Sequence, residues 1–187
     1  MNLRLNPLYK KLLLLSLVLG PMIWLMLTED GQRRSDLVLL YLFGKEELNL
    51  AIENLHGNMT EVDFRALFPE LPLECDDGAN PFGDRLCTAE IGSFSAIPAR
   101  AFTLFLQGDL LRAAKVNYRR VYHSKLETQL SRRLGVRGGH DNSGPDAVFW
   151  QVSDGLLLMP TVAPKDDSEA ALMWLSAAVV QRRRDGG

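Results

Sequence analysis

The feature that most constrains this chain is an apolar run near its N-terminus, from Leu12 to Leu27. Its 16 residues carry no charge. In a helix they would rise about 1.5 Å each and cover roughly 24 Å of a hydrocarbon core that is roughly 30 Å thick. Local thinning of the bilayer and extended lysine side chains make up the difference, so the run predicts a membrane-spanning helix. The residues placed in the bilayer include Leu12, Leu15, Leu19, Pro21, Trp24 and Leu27.

The charges that flank this run predict its orientation. Lys10 and Lys11 precede it, whereas Glu29 and Asp30 follow it. Because basic residues stay on the cytoplasmic side of a membrane, we expect a cytoplasmic N-terminus and an exported remainder. The location this suggests is the bacterial inner membrane, with the C-terminal domain in the periplasm. A cleavable signal stays open as an alternative, although no A-x-A-like site follows the run. A buried amphipathic helix is disfavoured because polar residues are missing from every face of the run.

The rest of the chain is long enough for one folded domain. We divide it into an N-terminal tail and anchor (1–28), a polar linker (29–35), one exported domain (36–181) and a basic disordered tail (182–187). Of the 187 residues, 47% are hydrophobic and 24% are charged, which suits a body with a sizeable core. Beyond residue 28 there are 18 basic and 23 acidic residues, so no general nucleic-acid signature exists and no nucleic-acid partner is expected.

Two cysteines, Cys75 and Cys87, lie on the exported side of the anchor. An even number of cysteines in an oxidising compartment predicts a disulfide between them. Two cysteines without nearby histidines make a poor zinc site. The acidic residues of the intervening loop lack the spacing of a calcium loop, so we expect a solvated turn and neither a metal nor a cofactor.

The periodicity of the body predicts an α+β fold with about three helices and five or six antiparallel strands. The first helix is placed from Asp36 to His56, where Gly57 would end it. A short second helix follows Thr60, whose side chain is suited to the N-cap, and ends before Pro69; Asp63 lies in its first turn as an acid that suits the helix dipole. A third, amphipathic helix is placed from Tyr118 to Leu134, with Gly135 as its stop.

Alternating residues predict the strands. A three-stranded meander is expected between Arg85 and Asn117, with a turn at Gly108-Asp109 and with Pro98 in the loop before Phe102. A second hairpin is expected to turn at Asp154-Gly155. The segment 171–180 fits either an alanine-rich helix or a last strand, and we favour the strand.

Charge is segregated along the chain. Residues 100–137 hold nine basic and two acidic residues, whereas residues 46–90 hold eleven acidic and two basic ones. The basic face predicted for the third helix consists of Arg119, Arg120, Lys125, Arg132 and Arg133. Such a face is solvated, is neutralised by the acidic region within the fold, or docks on anionic lipid or on an acidic protein.

Together these features favour a non-catalytic, membrane-anchored periplasmic protein that binds another envelope component. Contact is expected through a flat patch on the basic helix face or through the apolar helix start at Leu37. One alternative is a small exported hydrolase in which His140 lies in a pocket beside a carboxylate; another is a structural spacer. His140, Asp141 and Ser143 crowd into one glycine-rich loop, whereas catalytic triads are built from distant positions on rigid elements, so catalysis is disfavoured. The oligomeric state is left open.

Overall fold

A computed structural model of the chain describes residues 7–28, 30–31, 45–135 and 147–185. The chain divides into two units, residues 1–43 and 44–187. The described part of the first unit contains helix α1, Pro7–Leu27. The second unit contains all the strands that the structure defines.

Helix α1 includes the predicted apolar run and begins five residues before it. Its window Leu8–Leu25 has a mean hydropathy of 1.6, and no part of that window is buried by the protein. The Ser16 and Thr28 hydroxyls donate to the carbonyls of Leu12 and Trp24, at 2.9 and 2.7 Å. Because these polar groups have partners within the segment, they add little cost in an apolar medium. By length and composition α1 is able to cross a membrane, and the same properties fit a signal sequence.

The predicted helix from Asp36 to His56 is wrong over its described part, and residues 36–44 lie outside the described residues. Strand β1, Glu47–Leu48, and a 3₁₀ turn, Ile52–Asn54, occupy this region instead. Leu48, Leu50 and Ile52 are buried while the residues between them are more exposed. A spacing of four fits both a helix and twice the period of alternating burial, so the spacing of Leu48 and Ile52 did not by itself establish a helix.

Helix α2, Glu61–Leu67, confirms the predicted short helix. The Asp63 backbone N–H donates to the Thr60 hydroxyl at 3.2 Å, and the Thr60 N–H donates to the Asp63 carboxylate at 2.9 Å. These two bonds form a capping box around the predicted N-cap Thr60. The Thr60 N–H lowers the pKa of Asp63 below its usual range, and the Thr60 hydroxyl, which donates to the same carboxylate at 2.8 Å, lowers it further. Phe64 is the buried residue of this helix.

The strands form one mixed sheet of nine strands among the described residues, not the five or six antiparallel strands predicted. Beyond β1, their bounds are β2 Glu74–Asn80, β3 Gly83–Glu90, β4 Ser93–Phe94, β5 Ile97–Gln107, β6 Leu110–Tyr118, β7 Ala147–Val152, β8 Gly155–Pro160 and β9 Ala171–Leu175. The order is β1-β4-β5-β6-β9-β8-β7, and β3 pairs with β5 and carries β2 on its other side. Among the described strands, only β1 and β4 pair in parallel.

The predicted meander, β3-β5-β6, and the hairpin β7-β8 are confirmed. The second hairpin turns at Ser153-Asp154 rather than at Asp154-Gly155, because Gly155 already pairs with Val152. Two other local expectations are wrong. Residues 74–80 form strand β2 rather than a turn, because the disulfide partners Cys75 and Cys87 lie opposite each other in an antiparallel pair. Pro98 lies inside β5 rather than in a loop, opposite Ser93 of the two-residue strand β4. There the missing N–H costs little, since β4 is too short to form a continuous ladder.

One row of side chains crosses the middle of the sheet and shows where the core lies. Its members pair in register across six strands and are each at most 1% exposed: Cys87, Leu104, Ala114, Trp174, Leu157 and Trp150. The main hydrophobic cluster on this face also includes Phe64 of α2. Ala113 and Leu175 point to the opposite face, where a smaller cluster forms with Val179.

The predicted helix from Tyr118 to Leu134 begins later in the structure. Tyr118 ends β6, a 3₁₀ turn covers Arg120–Tyr122, and helix α3 runs from His123 to Leu134. Tyr118 continues the alternation of Ala114 and Val116 and is fully buried, which keeps it in the strand. Gly135 ends the helix with φ of 87°, as its sequence position predicts.

The end of the chain differs from expectation. The favoured strand at 171–180 holds only for β9, Ala171–Leu175, which joins β6 to β8. Helix α4, Ala177–Asp185, follows, so residues 182–185 of the predicted disordered tail are helical. Alanine at its start has the highest helix propensity, and three consecutive arginines near its end interact favourably with the helix dipole.

Candidate partner-binding groove

Helix α3 is held on the sheet by a buried polar pair and two leucines. The Tyr118 hydroxyl lies 2.7 Å from Nδ1 of His123, and both residues are at least 96% buried. Burial lowers the pKa of His123, although Glu127 and the Thr161 backbone oppose that shift. Burial also raises the pKa of Tyr118. The histidine is therefore neutral at neutral pH, and Leu126 and Leu130 complete the buried side of the helix.

A cavity of about 340 Å³ lies between the second half of α3 and the turn that joins β4 to β5. We call it the α3 groove; it is lined by Phe94, Ser95, Leu126, Gln129, Leu130, Arg132 and Arg133. Three of these side chains, Phe94, Leu126 and Leu130, are at most 2% exposed and form an apolar floor. Gln129 and the two arginines are exposed. The groove thus combines an apolar floor with a polar, cationic rim.

The turn that forms one wall of the groove has a strained backbone. Ser95 and Ala96 have φ of 47° and 62°, and they connect the paired residues Phe94 and Ile97. A two-residue hairpin turn with positive φ at both positions is a type I′ turn, which strongly prefers Asn-Gly. The Ser95 N–H donates to the Leu48 carbonyl at 3.1 Å, which holds the turn against the segment after β1. Backbone strain of this kind clusters at functional sites.

The five basic residues predicted as one helix face fall into two groups. Lys125, Arg132 and Arg133 belong to α3, whereas Arg119 and Arg120 precede it. Lys125 and Arg132 are seven positions apart and lie on one side of the helix with Gln129 between them. The Arg120 backbone N–H donates to Asp167 at 2.9 Å, a contact that fixes the turn before the helix.

Arg133 has an acidic partner from another part of the chain. Its Nη2 lies 2.8 Å from Oε2 of Glu53, which belongs to the 3₁₀ turn after β1. The Glu53 side chain is 16% exposed and that of Arg133 is 42% exposed. Ser153 donates to the Glu53 backbone carbonyl at 3.2 Å and helps to hold this turn. A carboxylate therefore already lies at the rim of the groove.

A flat basic patch was expected on this helix face, whereas α3 and the β4–β5 turn border an open groove. The predicted site residues did not include Phe94, Ser95, Gln129 or Glu53. Gln129 could have been found from its place four residues after Lys125 and three before Arg132. Nothing local in the sequence indicates that Phe94, Ser95 and Glu53 meet the helix. His140, Asp141 and Ser143, the residues of the hydrolase alternative, lie outside the described residues.

The disulfide lies in a different charged region. Cys75 and Cys87 are bonded, as predicted, with their Cα atoms 4.0 Å apart. Beside them, the two oxygens of Glu61 accept from Nε of Arg65 and of Arg85 at 2.7 and 3.0 Å. Arg85 also donates to Asp77 at 2.8 Å, and these carboxylates raise its pKa. We call Glu61, Arg65, Arg85 and Asp77 the hairpin network.

This network is not suited to hold a cation. Ligand atoms of Glu61, Cys75 and Cys87 lie within 4.8 Å of one another. However, the cysteines share a disulfide and so offer no thiolate, and the Glu61 carboxylate is already shared by two arginines.

A second, smaller cavity of about 210 Å³ lies near α2, where Glu46, Glu47 and Glu70 line it together with apolar side chains.

Comparison with protein-family models, with curated proteins and with solved structures finds no match to this chain. Its function is therefore inferred from the geometry described above.

Proposed function

We propose that this protein is a membrane-anchored, non-catalytic binding protein that holds an acidic segment of another envelope protein in the α3 groove. The observation that carries the proposal is the groove itself, an apolar floor at most 2% exposed beneath Arg132 and Arg133. Protein-binding sites favour such a combination, because a desolvated apolar centre supplies affinity and arginines at the edge supply specificity. The proposal requires no metal or cofactor, and no nucleic acid.

The proposed location is the bacterial inner membrane, with α1 in the bilayer and the sheet domain in the periplasm. Two features support it. Basic residues precede the apolar segment while Glu29 and Asp30 follow it. The disulfide between Cys75 and Cys87 also fits an oxidising compartment. The other contact surface suggested by the sequence, the apolar segment that starts at Leu37, lies outside the described residues.

The topology is tested by adding protease to spheroplasts of cells that produce the full chain. The proposal predicts digestion of the C-terminal domain without lysis and, under denaturing conditions without reductant, no alkylation of either cysteine. A protected domain with two alkylated thiols would contradict it.

The binding role is tested by replacing Gln129 with a photo-activatable amino acid in the full chain. The matched control carries the same amino acid at Val62, which is 75% exposed on α2. We expect cross-linking to one envelope protein from position 129 only. The charge reversal R132E/R133E should abolish it, while K165E, a reversal on an exposed loop residue, should not.

The captured protein must then bind the purified full chain through an acidic segment. Cross-linking that survives R132E/R133E would overturn the proposal. So would the same capture from position 62, or capture of lipid alone or of a second copy of this chain.

A further inference from the structure

We infer that the α3 groove recognises a carboxylate next to an apolar side chain of a peptide segment, and that Glu53 occupies the carboxylate position on Arg133 until that segment binds. This inference rests on the proposed function and names both the ligand chemistry and an internal competitor. Glu53 would thereby set the affinity of the site, and a partner would have to displace it.

The carboxylate preference follows from the contact already present. Arg133 belongs to the groove lining and also donates to Glu53 at 2.8 Å. A guanidinium has five N–H groups in a planar fork that matches two carboxylate oxygens. The Glu53 contact uses the Nη2 nitrogen of that fork. The side chain is therefore in a position where a carboxylate is known to fit.

Arg132 and Gln129 extend this donor set. Both are exposed lining residues, and they are three positions apart on α3, so their side chains are neighbours on the helix surface. An arriving carboxylate would gain the Arg132 guanidinium and the Gln129 amide in addition to Arg133. Glu53 is fixed on the 3₁₀ turn, whose Ile52 is fully buried, and cannot follow the ligand along the helix.

The apolar part of the ligand follows from the floor. Phe94, Leu126 and Leu130 are the buried lining residues, and the cavity of about 340 Å³ is near the lower end of ligand pockets, roughly 300–1,000 Å³. That volume suits one or two side chains rather than a folded element. A floor of three side chains is also short for an acyl chain, so a peptide segment is favoured over a lipid.

The test uses the full chain in nanodiscs of zwitterionic lipid and two fluorescein-labelled peptides. The probe is Gly-Asp-Glu-Phe-Glu-Asp-Gly, and its uncharged match is Gly-Asn-Gln-Phe-Gln-Asn-Gly. Fluorescence polarisation is measured for the wild type, for E53Q and for the control E90Q. Glu90 pairs with Lys45 and does not line the groove. A third peptide with serine in place of phenylalanine tests the apolar requirement.

We expect the wild type to bind the acidic peptide and not its uncharged match. E53Q should bind the acidic peptide about fivefold more tightly, which is the upper end of the effect expected from one exposed ion pair. E90Q should leave the affinity unchanged. The serine peptide should bind at least about tenfold more weakly, as expected for an unfilled apolar pocket.

The outcomes separate the inference from the proposed function. If the wild type binds the acidic peptide but E53Q does not bind it more tightly, the competitor role of Glu53 is wrong while the groove remains a binding site. If the serine peptide binds as well as the phenylalanine peptide, the apolar requirement is wrong. If the acidic and uncharged peptides bind equally well or not at all, both the inference and the acidic-segment function fail. Circular dichroism of E53Q checks that its fold is retained.

Discussion

The hairpin network and the α3 groove are two charged regions built in opposite ways. In the hairpin network, Glu61 is shared by Arg65 and Arg85, and Arg85 also pairs with Asp77, so two carboxylates meet two guanidinium groups. In the α3 groove, two arginines line the cavity and Glu53 is the acidic partner that the structure gives to one of them. The first region is neutralised within the fold, whereas the second keeps an excess of positive charge beside apolar side chains.

This difference shows that topology decides which charges remain for a partner. Along the sequence, residues 46–90 are acidic and residues 100–137 are basic, which suggests that the two regions neutralise each other throughout. The fold brings Glu53 to Arg133, 80 residues later in the chain. Glu61 and Asp77, however, pair with Arg65 and Arg85, which belong to the same acidic stretch of sequence. The basic helix is therefore only partly neutralised.

The largest expected effect tests the hairpin side. C75S/C87S removes the covalent link between β2 and β3, and the chain-entropy model predicts a loss of about 3 kcal/mol for a loop of this length. Urea unfolding in detergent micelles, followed by the fluorescence of the buried Trp150 and Trp174, measures this loss. Peptide binding at the α3 groove should persist wherever the variant is folded. A loss of binding in the folded variant would show that the two regions are coupled.

A pair of matched variants compares the two regions directly. E61Q removes charge from two ion pairs and should lower the free energy of unfolding by about 1–2 kcal/mol, because both pairs are partly shielded from water. E53Q affects one pair and should cost about 0.5 kcal/mol. The same urea titration measures both values. If E61Q and E53Q lower the free energy of unfolding equally, the hairpin network does not stabilise the fold more than the ion pair at the α3 groove does.

A gain of stability is expected at the wall of the groove. Ala96 has φ of 62°, a conformation that glycine adopts without strain, so A96G should stabilise the protein by about 0.5–1 kcal/mol. The control A178G, on an exposed position of helix α4, should destabilise it by about 1 kcal/mol. Thermal unfolding measures both shifts. If A96G destabilises the protein, contacts of the Ala96 methyl group stabilise the fold by more than its positive φ costs.

The smallest effect is expected from pH, since Glu127 and the Thr161 backbone partly offset the burial of His123. Its lowered pKa means that the unfolded chain binds a proton more readily than the folded protein. The stability contributed by neutral His123 is complete above about pH 6.5, the ordinary histidine pKa, and is lost as the pH falls through the folded value. Urea unfolding at about pH 7.5 and about pH 5.5 measures the slope, which H123Q should reduce. If the slope is unchanged in H123Q, a group other than His123 causes the pH dependence of stability.

Local signals in the sequence were enough to predict several elements. The N-cap at Thr60, the hairpin turn at Gly108-Asp109 and the stop at Gly135 each depend on chemistry within four residues. The disulfide was predicted from cysteine number and compartment. These features are correct because no distant contact competes with them.

The errors arose where a local pattern fitted two structures or where a partner came from far away. The spacing of Leu48 and Ile52 fits alternating burial as well as a helix. Leu48 pairs with Phe94 of β4, and Ile52 lies in the 3₁₀ turn that follows. Strand β2 is made of acidic and small residues with low strand propensity and exists because it is joined to β3. The α3 groove needs Phe94 and Ser95 beside a helix that starts about 30 residues later, and no sequence period carries that information.

The most direct test of the central claim is a charge swap between the groove and its ligand. Binding of the acidic probe peptide and of a matched peptide with lysine at every acidic position is measured for the wild type and for R132E/R133E, both as full chains in nanodiscs. The account predicts that the wild type prefers the acidic peptide and that the variant prefers the lysine peptide. If R132E/R133E binds the acidic peptide as tightly as the wild type does, the α3 groove does not recognise acidic segments and the proposed function is wrong.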